Sequence, residues 1–95
     1  MPKISVIMPA YNHEHFVGLA IQSVLDQTFQ DFEFIIVDDC SQDRTVDEIR
    51  KFTDNRIKLI LHEKNLGGAA TMRTCLENAT GEYVAVINSD DIFFP

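Results

Sequence analysis

The sequence predicts an α/β protein built on one open, all-parallel sheet with the element order βαβαβαβ. Four short apolar runs recur along the chain, and each gap between them carries apolar residues at helical spacing. Gaps of this length suit the helical crossovers that join parallel strands. The first, second and fourth runs are nearly continuous in apolar residues, which is typical of strands covered on both faces.

The four predicted strands are short and evenly distributed. They span residues 4–8, 34–37, 57–61 and 83–87. The third differs from the others because Lys58 interrupts its apolar run. A charged side chain in this position favours an edge strand for residues 57–61.

The three predicted helices have different sequence signals. The first keeps an apolar stripe at helical spacing through residues 16–25. The second begins with Thr45 and Glu48 at the spacing of a capping box, followed by an apolar stripe formed by Val46, Ile49 and Phe52.

The third helix is predicted to open at Gly67-Gly68 and to end at Thr80-Gly81, with the glycine as the stop signal. The side chains expected to face the sheet from it are Met72, Cys75, Leu76 and Ala79.

Length, charge and cysteine content restrict the classes of protein that fit. A chain of 95 residues allows one small domain. Its formal charge of −7 argues against a nucleic acid or an anionic membrane surface as the main partner. Cys40 and Cys75 lack metal-ligand spacing and are interpreted as free thiols in a reducing compartment. With no signal-peptide pattern and no apolar run near the roughly 20 residues of a membrane span, a cytoplasmic location is expected.

Polar residues follow each predicted strand, at the edge where open parallel sheets bind ligands. Two acidic pairs are among them, Asp38-Asp39 after the second strand and Asp90-Asp91 after the fourth. At about 4 Å and an effective dielectric constant near 20, each contact between like charges costs roughly 4 kcal/mol, so a cation is expected between them. Oxygen ligands suit Mg²⁺ or Mn²⁺, and Asp90 and Asp91 are the predicted metal ligands. The alternative is that these aspartates only form turns and cap helices.

Three further candidates each have a structural alternative. Tyr11 could stack on a planar base or be a loose surface aromatic. Gly67-Gly68 could let the backbone approach a phosphate or simply form a tight turn. Arg73 could reach a diphosphate or be solvated. The histidines share no metal-site spacing and are expected at the surface: His13, His15 and His62.

Four stretches occur together in one order: "ISVIMPAYN", "SVLDQTFQDFEFIIVDDCSQDRT", "NLGGAATMRT" and "GEYVAVINSDD". In this combination the sequence resembles the nucleotide-sugar-binding half of the family 2 inverting glycosyltransferases, which have the Rossmann-like A-type glycosyltransferase fold. The resemblance covers essentially the whole chain. It implies that residues 1–95 are the N-terminal, donor-binding part of such a domain.

The resemblance also implies roles for individual residues. Pro9 and Tyr11 match positions that line the nucleoside pocket. Asp39 matches the carboxylate that bonds the base, typically uracil N3–H, and Asp38 is its neighbour. Arg73 matches the arginine of the family's "ARN" stretch, near the diphosphate.

The acidic pair after the fourth strand matches the end of the family's Asp-x-Asp-type motif. There Asp90 is expected at the ribose or sugar, and Asp90 and Asp91 at Mn²⁺ or Mg²⁺. Two departures at single positions stand out: Asn88 replaces the first aspartate of that motif, and Thr74 replaces the asparagine of "ARN". Thr71-Met72 also replaces the small residues before that stretch.

The implied activity is metal-assisted transfer of a sugar, with inversion, from a nucleotide-sugar, with a UDP-sugar as the expected donor. The acceptor is expected to be a saccharide or a lipid-linked saccharide used in cell-envelope polysaccharide synthesis. No catalytic base is matched within residues 1–95. The chain is expected to continue beyond Pro95 into an acceptor-binding half, which would also provide any membrane association.

Three alternatives stay open at this stage. They are a nucleotidyltransferase-like domain, a receiver-like Mg²⁺-binding domain and a non-catalytic relative that binds no nucleotide. The last is favoured only by the missing charge at Asn88.

Overall fold

The computed structural model describes residues 2–89, which form an all-parallel sheet flanked by helices. Along the chain, the strands are β1 (Ile4–Ala10), β2 (Phe32–Asp38), β3 (Ile57–Leu61) and β4 (Tyr83–Val86). The helices between them are α1 (Val17–Leu25), α2 (Thr45–Ile49) and α3 (Gly68–Glu77). The predicted α/β class and element order are confirmed.

The order of the strands in the sheet is β3-β2-β1-β4. β1 lies between β2 and β4, in a register that pairs Ile4 with both Phe32 and Tyr83. β3 is at one edge, as Lys58 predicts. The chain therefore moves outward from β1 to β3 and then returns to the other side of β1. Between β1 and β4 the direction of winding reverses, and this is where open α/β sheets bind their ligands.

The sheet separates two apolar clusters. The larger one packs α1 and Ile49 of α2 against the side chains of β1 and β2 that point to that face, among them Met8, Phe34 and Ile36. On the opposite face, Cys75 of α3 packs against the remaining apolar side chains of these two strands, Ile7, Ile35 and Val37. Every residue of β2 is buried, as its continuous apolar run predicts. None of the described helices has the length and apolarity needed to cross a membrane.

The prediction that the fourth strand is covered on both faces is wrong for the described residues. Tyr83, Val84 and Val86 keep 60%, 45% and 49% of their surface exposed. In this part of the chain β4 has one neighbouring strand, and α3 packs against β1 and β2. An apolar run therefore identifies the strand correctly but does not show what covers it.

The predicted capping box at Thr45 and Glu48 is also wrong. Thr45 is the first residue of α2, and its N–H (2.9 Å) and hydroxyl (2.5 Å) both donate to Asp43 Oδ1. Glu48 instead pairs with Lys51 at 2.6 Å. Asp43 lies two residues before Thr45, and its short side chain forms a local turn that supplies the acceptor.

Two details of α3 differ from expectation. Cys75 is fully buried and Met72 and Ala79 pack beside it, but Leu76 is 50% exposed because it lies about 100° around the helix from Cys75. α3 ends at Glu77, before the predicted stop. Gly81 is required for another reason: a Cβ there would lie 2.7 Å from the backbone nitrogen of Ser5.

Candidate functional site

A cleft of about 580 Å³ opens at the carboxyl ends of β1 and β2, beside the N-terminus of α3. This volume is in the range of small-molecule sites. The lining residues come from the end of β1 and the segment after it, from the segments that follow β2 and β4, and from the loop before α3 and its first turn: Pro9, Ala10, Tyr11, His13, Asp39, Asn65, Gly67, Gly68, Thr71, Asn88 and Ser89. The cleft therefore lies at the reversal point of the sheet.

Asp39 is the buried charge of this cleft, with its side chain 5% exposed. Its Oδ1 accepts hydrogen bonds from Leu66 N at 2.8 Å and from His62 Nδ1 at 2.9 Å, and its Oδ2 accepts one from Gly67 N at 2.9 Å. Burial raises the pKa of Asp39, but these hydrogen bonds outweigh it, so the pKa lies below its ordinary value. Asp39 is therefore ionised at neutral pH, and within the described residues Oδ2 accepts only the Gly67 N–H.

Gly67 shapes the loop that holds Asp39. Its φ of +93° is a backbone conformation that residues with a Cβ rarely adopt. This conformation directs the N–H groups of Leu66 and Gly67 at the two oxygens of one carboxylate. Gly67 is thus needed for its backbone geometry, and the tight-turn interpretation applies to it.

Pro9 and Tyr11 line the cleft from the end of β1, and Tyr11 is 41% exposed. A half-exposed ring at the cleft wall is available for stacking on a planar group. The next residue, Asn12, has a positive φ of 52° and links this segment to the loop after β2, because its Oδ1 accepts the N–H of Gln42 at 2.8 Å.

Asp38 lies outside the set of cleft-lining residues. It is buried, and its two oxygens accept the N–H (2.9 Å) and the hydroxyl (2.5 Å) of Ser41. These two hydrogen bonds close the turn after β2. The predicted pair thus separates into Asp39, which borders the cleft, and Asp38, which stabilises the loop.

Three further predicted site residues are Arg73, Asp90 and Asp91, and of these the structure describes Arg73. Arg73 is exposed on α3 and is not part of the cleft wall. Asp90 and Asp91 lie outside the described residues, although Asn88 and Ser89, which precede them, line the cleft. Within residues 2–89, no group of three His, Cys, Asp or Glu side chains comes together as a metal site.

Two histidines that were expected at the surface belong to the site instead. His13 lines the cleft, and its Nδ1 lies 2.5 Å from Ser89 Oγ. His62 is 9% exposed and contacts Asp39. His15 is exposed, as expected. The signal for His62 was its position directly after β3, at the same sheet edge as Asp39.

Comparison with known proteins identifies the family. Residues 5–95 match the family described as Glycosyl transferase family 2. Over 90 residues the chain is 42% identical to the UDP-Glc:alpha-D-GlcNAc-diphosphoundecaprenol beta-1,3-glucosyltransferase WfgD of Escherichia coli, covering 95% of this chain and 36% of that protein. Over 92 residues it is 44% identical to the putative teichuronic acid biosynthesis glycosyltransferase TuaG of Bacillus subtilis, with the same coverage of 95% and 36%. The chain thus spans about a third of the length of these relatives.

Two solved structures share its fold. S. aureus TarS 1-349 in complex with UDP is 37% identical with a TM-score of 0.87, covering 95% of this chain and 28% of that one. The mannosyltransferase PcManGT from Pyrobaculum calidifontis, in complex with GDP-Man and Mn²⁺, is 26% identical with a TM-score of 0.89, covering 97% and 28%. Together with the family match over residues 5–95, these similarities show that the chain belongs to glycosyl transferase family 2.

Proposed function

We propose that this chain is the donor-binding half of an enzyme that transfers a sugar, with inversion, from a UDP-sugar to an acceptor hydroxyl. The proposal rests on the environment of Asp39. This residue is a buried, ionised carboxylate at the reversal point of the sheet, and its Oδ2 accepts only one hydrogen bond from the described residues. A carboxylate oxygen accepts about two hydrogen bonds, so Oδ2 can take one more from a bound ligand.

The base of the nucleotide is the group that we assign to Asp39. Uracil has an N–H at position 3, which an ionised carboxylate can accept, whereas cytosine presents an acceptor there. A buried carboxylate that loses its partner is costly, so the site should select against cytosine. Pro9 and Tyr11 provide the adjoining wall of the cleft, where the planar base would lie.

A UDP-sugar is favoured over other donors by the names of the relatives. The name of the 42% identical E. coli relative specifies UDP-Glc, and the 37% identical TarS structure contains UDP. The mannosyltransferase that binds GDP-Man is less similar, at 26% identity. Guanine also has a ring N–H that a carboxylate can accept, so GDP is the most informative competitor in a binding test.

We also propose that Asp90 and Asp91 hold a divalent cation, Mg²⁺ or Mn²⁺. The side chains at this end of the cleft, Asn88 and Ser89, carry the oxygen donors that such cations prefer. When bound, the cation would neutralise the negative charge of the leaving nucleoside diphosphate. Nothing in residues 2–89 forms a ligand set without the acidic pair.

The role of this chain in the reaction is to bind and orient the donor. The general base that deprotonates the acceptor hydroxyl is proposed to lie outside residues 1–95, as are the contacts to a saccharide or lipid-linked acceptor. A cytoplasmic location and a role in cell-envelope polysaccharide synthesis are part of the same proposal.

Isothermal titration calorimetry with UDP, CDP, GDP and ADP, each with and without Mg²⁺ or Mn²⁺, tests the proposal. UDP is expected to bind most tightly, with an affinity that rises when the cation is present. Amide ¹H–¹⁵N spectra are expected to shift at Tyr11, Asp39 and Ser89. Equal affinity for all four nucleotides would contradict the proposal. No affinity for any of them would also contradict it and would favour a non-catalytic relative that binds no nucleotide.

A further inference from the structure

We propose that His62 is a positioning residue that, together with Thr74 of α3, orients the Asp39 carboxylate toward the nucleoside base and thereby sets base selectivity. The inference rests on the proposed function, because it assigns a role within the same donor site. The two residues are not among the lining residues of the cleft. They would therefore act on the base through Asp39.

The contacts of His62 connect the carboxylate to α3. Its Nδ1 lies 2.9 Å from Asp39 Oδ1, and its Nε2 lies 2.9 Å from Thr74 Oγ1. Thr74 Oγ1 also lies 3.1 Å from the carbonyl oxygen of Ala70, one turn earlier in the helix. The side chains of His62 and Asp39 are only 9% and 5% exposed. The imidazole is thus held at both ring nitrogens, in a place where water does not compete.

The direction of each hydrogen bond follows from the chemistry of the groups. Ionised Asp39 can only accept, so Nδ1 of His62 donates to it. Thr74 has a single hydroxyl hydrogen, and the Ala70 carbonyl can only accept it. A neutral imidazole with its hydrogen on Nδ1 accepts the Thr74 hydroxyl hydrogen at Nε2, whereas a doubly protonated ring donates its Nε2–H to Thr74 Oγ1 and leaves the hydroxyl hydrogen for Ala70. In both cases Nδ1 donates to Asp39.

The same contacts decide which oxygen of Asp39 faces the ligand. Oδ1 already accepts two hydrogen bonds, from Leu66 N and from His62. From residues 2–89, Oδ2 accepts one hydrogen bond, from Gly67 N, and so has a position for a ligand N–H. Without His62 both oxygens would have a vacant position and the carboxylate would lose one of three restraints. The preference for a base with an N–H over one with an acceptor would then weaken.

Thr74 is one of the two departures from the family pattern noted in the sequence, where an asparagine is usual. In this chain its hydroxyl both bonds back to Ala70 and contacts His62 Nε2. The threonine at this position therefore has a specific contact, with His62, and Thr74 is the second residue to substitute in the test.

The test compares UDP and CDP affinities by titration calorimetry for a set of variants of the protein. His62→Leu removes both ring nitrogens while keeping a side chain of some volume. His62→Asn keeps an amide N–H near the place of Nδ1. Thr74→Val removes only the far partner. His15→Leu, at an exposed histidine, is the matched control.

His62→Leu is expected to weaken UDP binding by about tenfold and to leave CDP binding nearly unchanged, because one charge-assisted hydrogen bond is lost. His62→Asn should recover most of the UDP affinity. For Thr74→Val we expect a smaller loss, about two- to threefold, since Nδ1 keeps its contact with Asp39. His15→Leu should match the unmodified protein with both ligands.

Several outcomes would overturn the inference. Unchanged UDP affinity in a folded His62→Leu variant would do so. An equal loss of UDP and CDP binding would also do so, because it would indicate a purely structural role. If circular dichroism shows that His62→Leu is unfolded, the UDP-to-CDP ratio of Thr74→Val decides in its place. An unmodified protein that does not prefer UDP over CDP would refute the proposed function itself, whereas normal selectivity in all variants would refute only the role of His62.

Discussion

β2 carries a buried carboxylate at each end, on the same face of the sheet, and the two differ in what surrounds them. Glu33 is the second residue of β2, and Asp39 follows its last residue. Each side chain is 5% exposed, and hydrogen bonds hold the pKa of each below its ordinary value despite burial. By burial and pKa alone, the two residues are equally good candidates for a functional site.

Their hydrogen-bond partners distinguish them. Glu33 Oε2 accepts from Ser5 Oγ (2.5 Å), Thr80 N (2.6 Å) and Thr80 Oγ1 (2.9 Å), and Oε1 pairs with Lys58 Nζ at 2.7 Å. These partners lie on β1, on β3 and in the connection from α3 to β4. Glu33 therefore joins the sheet to that connection and borders no part of the cleft. Asp39 borders the cleft, and the described part of the chain gives its Oδ2 a single donor, Gly67 N.

The comparison teaches that a perturbed carboxylate indicates function only when part of it remains available to a ligand. Structural hydrogen-bond networks shift pKa values as effectively as active sites do. At Glu33 the network holds the fold together; at Asp39 a similar network leaves Oδ2 for a ligand. The following predictions test this division.

Replacing Glu33 by alanine should have the largest effect on stability, about 3 kcal/mol in the free energy of unfolding. The fully buried Ser5 hydroxyl would lose its acceptor, at about 1–3 kcal/mol for a buried group, and the N–H of the exposed Thr80 would lose a hydrogen bond at a smaller cost. Urea denaturation followed by circular dichroism measures this loss. Lys58→Ala is the control and should cost less than about 1 kcal/mol, because that side chain is 56% exposed. Equal losses in the two variants would mean that the Lys58 pair, not the buried network, carries the stability.

Low pH should remove the contribution of Glu33 to the free energy of unfolding. Burial raises the pKa of Glu33, but hydrogen bonds from Lys58, Ser5 and Thr80 outweigh it and lower the pKa from 4.5 to about 2. Because the folded-state pKa is the lower one, this stabilisation is fully present above about pH 5 and is lost as the pH falls toward 2, amounting to about 3 kcal/mol. Unfolding free energies measured from pH 7 to pH 2 should show the decline. Glu33→Gln should give a flatter curve, and a curve as steep as that of the unmodified protein would exclude Glu33 as the source.

At the other end of β2, Asp39→Asn should act on binding. The amide cannot accept the base N–H as the carboxylate does, and the loss of one charge-assisted hydrogen bond corresponds to about a 10- to 100-fold weaker UDP affinity. Titration calorimetry with UDP measures the change. Glu33→Gln serves again as the control and should bind UDP within about twofold of the unmodified protein. A similar loss in both variants would erase the distinction between the two carboxylates.

The smallest expected effect concerns the glycine beside the Glu33 network. In Gly81→Ala, the new Cβ would lie 2.7 Å from Ser5 N and 2.8 Å from Ser5 Oγ. The displacement of Ser5 should cost about 1–3 kcal/mol of unfolding free energy, as overpacking usually does. Gly18→Ala in α1 is the matched control, since a Cβ there meets nothing within 4 Å. It should be neutral or stabilise the protein by up to about 1 kcal/mol. Thermal denaturation of the two variants gives the comparison, and equal melting temperatures would contradict it.

The fold could be predicted from the sequence because its signals are local. Continuous apolar runs mark β1 and β2, Lys58 marks an edge strand, and helical spacing marks the crossovers. The parallel arrangement then follows from the length of the connections. The side chain that accepts the first N–H of a helix could not be predicted in the same way. At α2 the Asp43 side chain, and not a capping box at Thr45, satisfies the first N–H.

The site could be predicted only in part, because its residues come from distant parts of the chain. Asp39, Tyr11 and Pro9 lie at or just after the ends of predicted strands, and the family resemblance singles them out as nucleotide-binding candidates; in the structure all three line the cleft. The role of His62 depends on its contacts with Asp39, 23 residues away, and with Thr74, 12 residues away. His13 meets Ser89 across 76 residues. No spacing along the sequence encodes contacts that form only when strands and helices pack.

The sequence by itself determined the order of the elements and which edge of the sheet carries the polar residues, since apolar periodicity and connection length are properties of the chain. Tertiary structure decided which carboxylate borders the cleft. Asp38 and Asp39 are adjacent and identical in chemistry, yet Asp38 closes a turn with Ser41 and Asp39 borders the cleft. Successive residues of an extended strand point to opposite faces, so one of the pair meets α3 and its loop while the other does not. Packing therefore converts two equal residues into one structural and one candidate functional group.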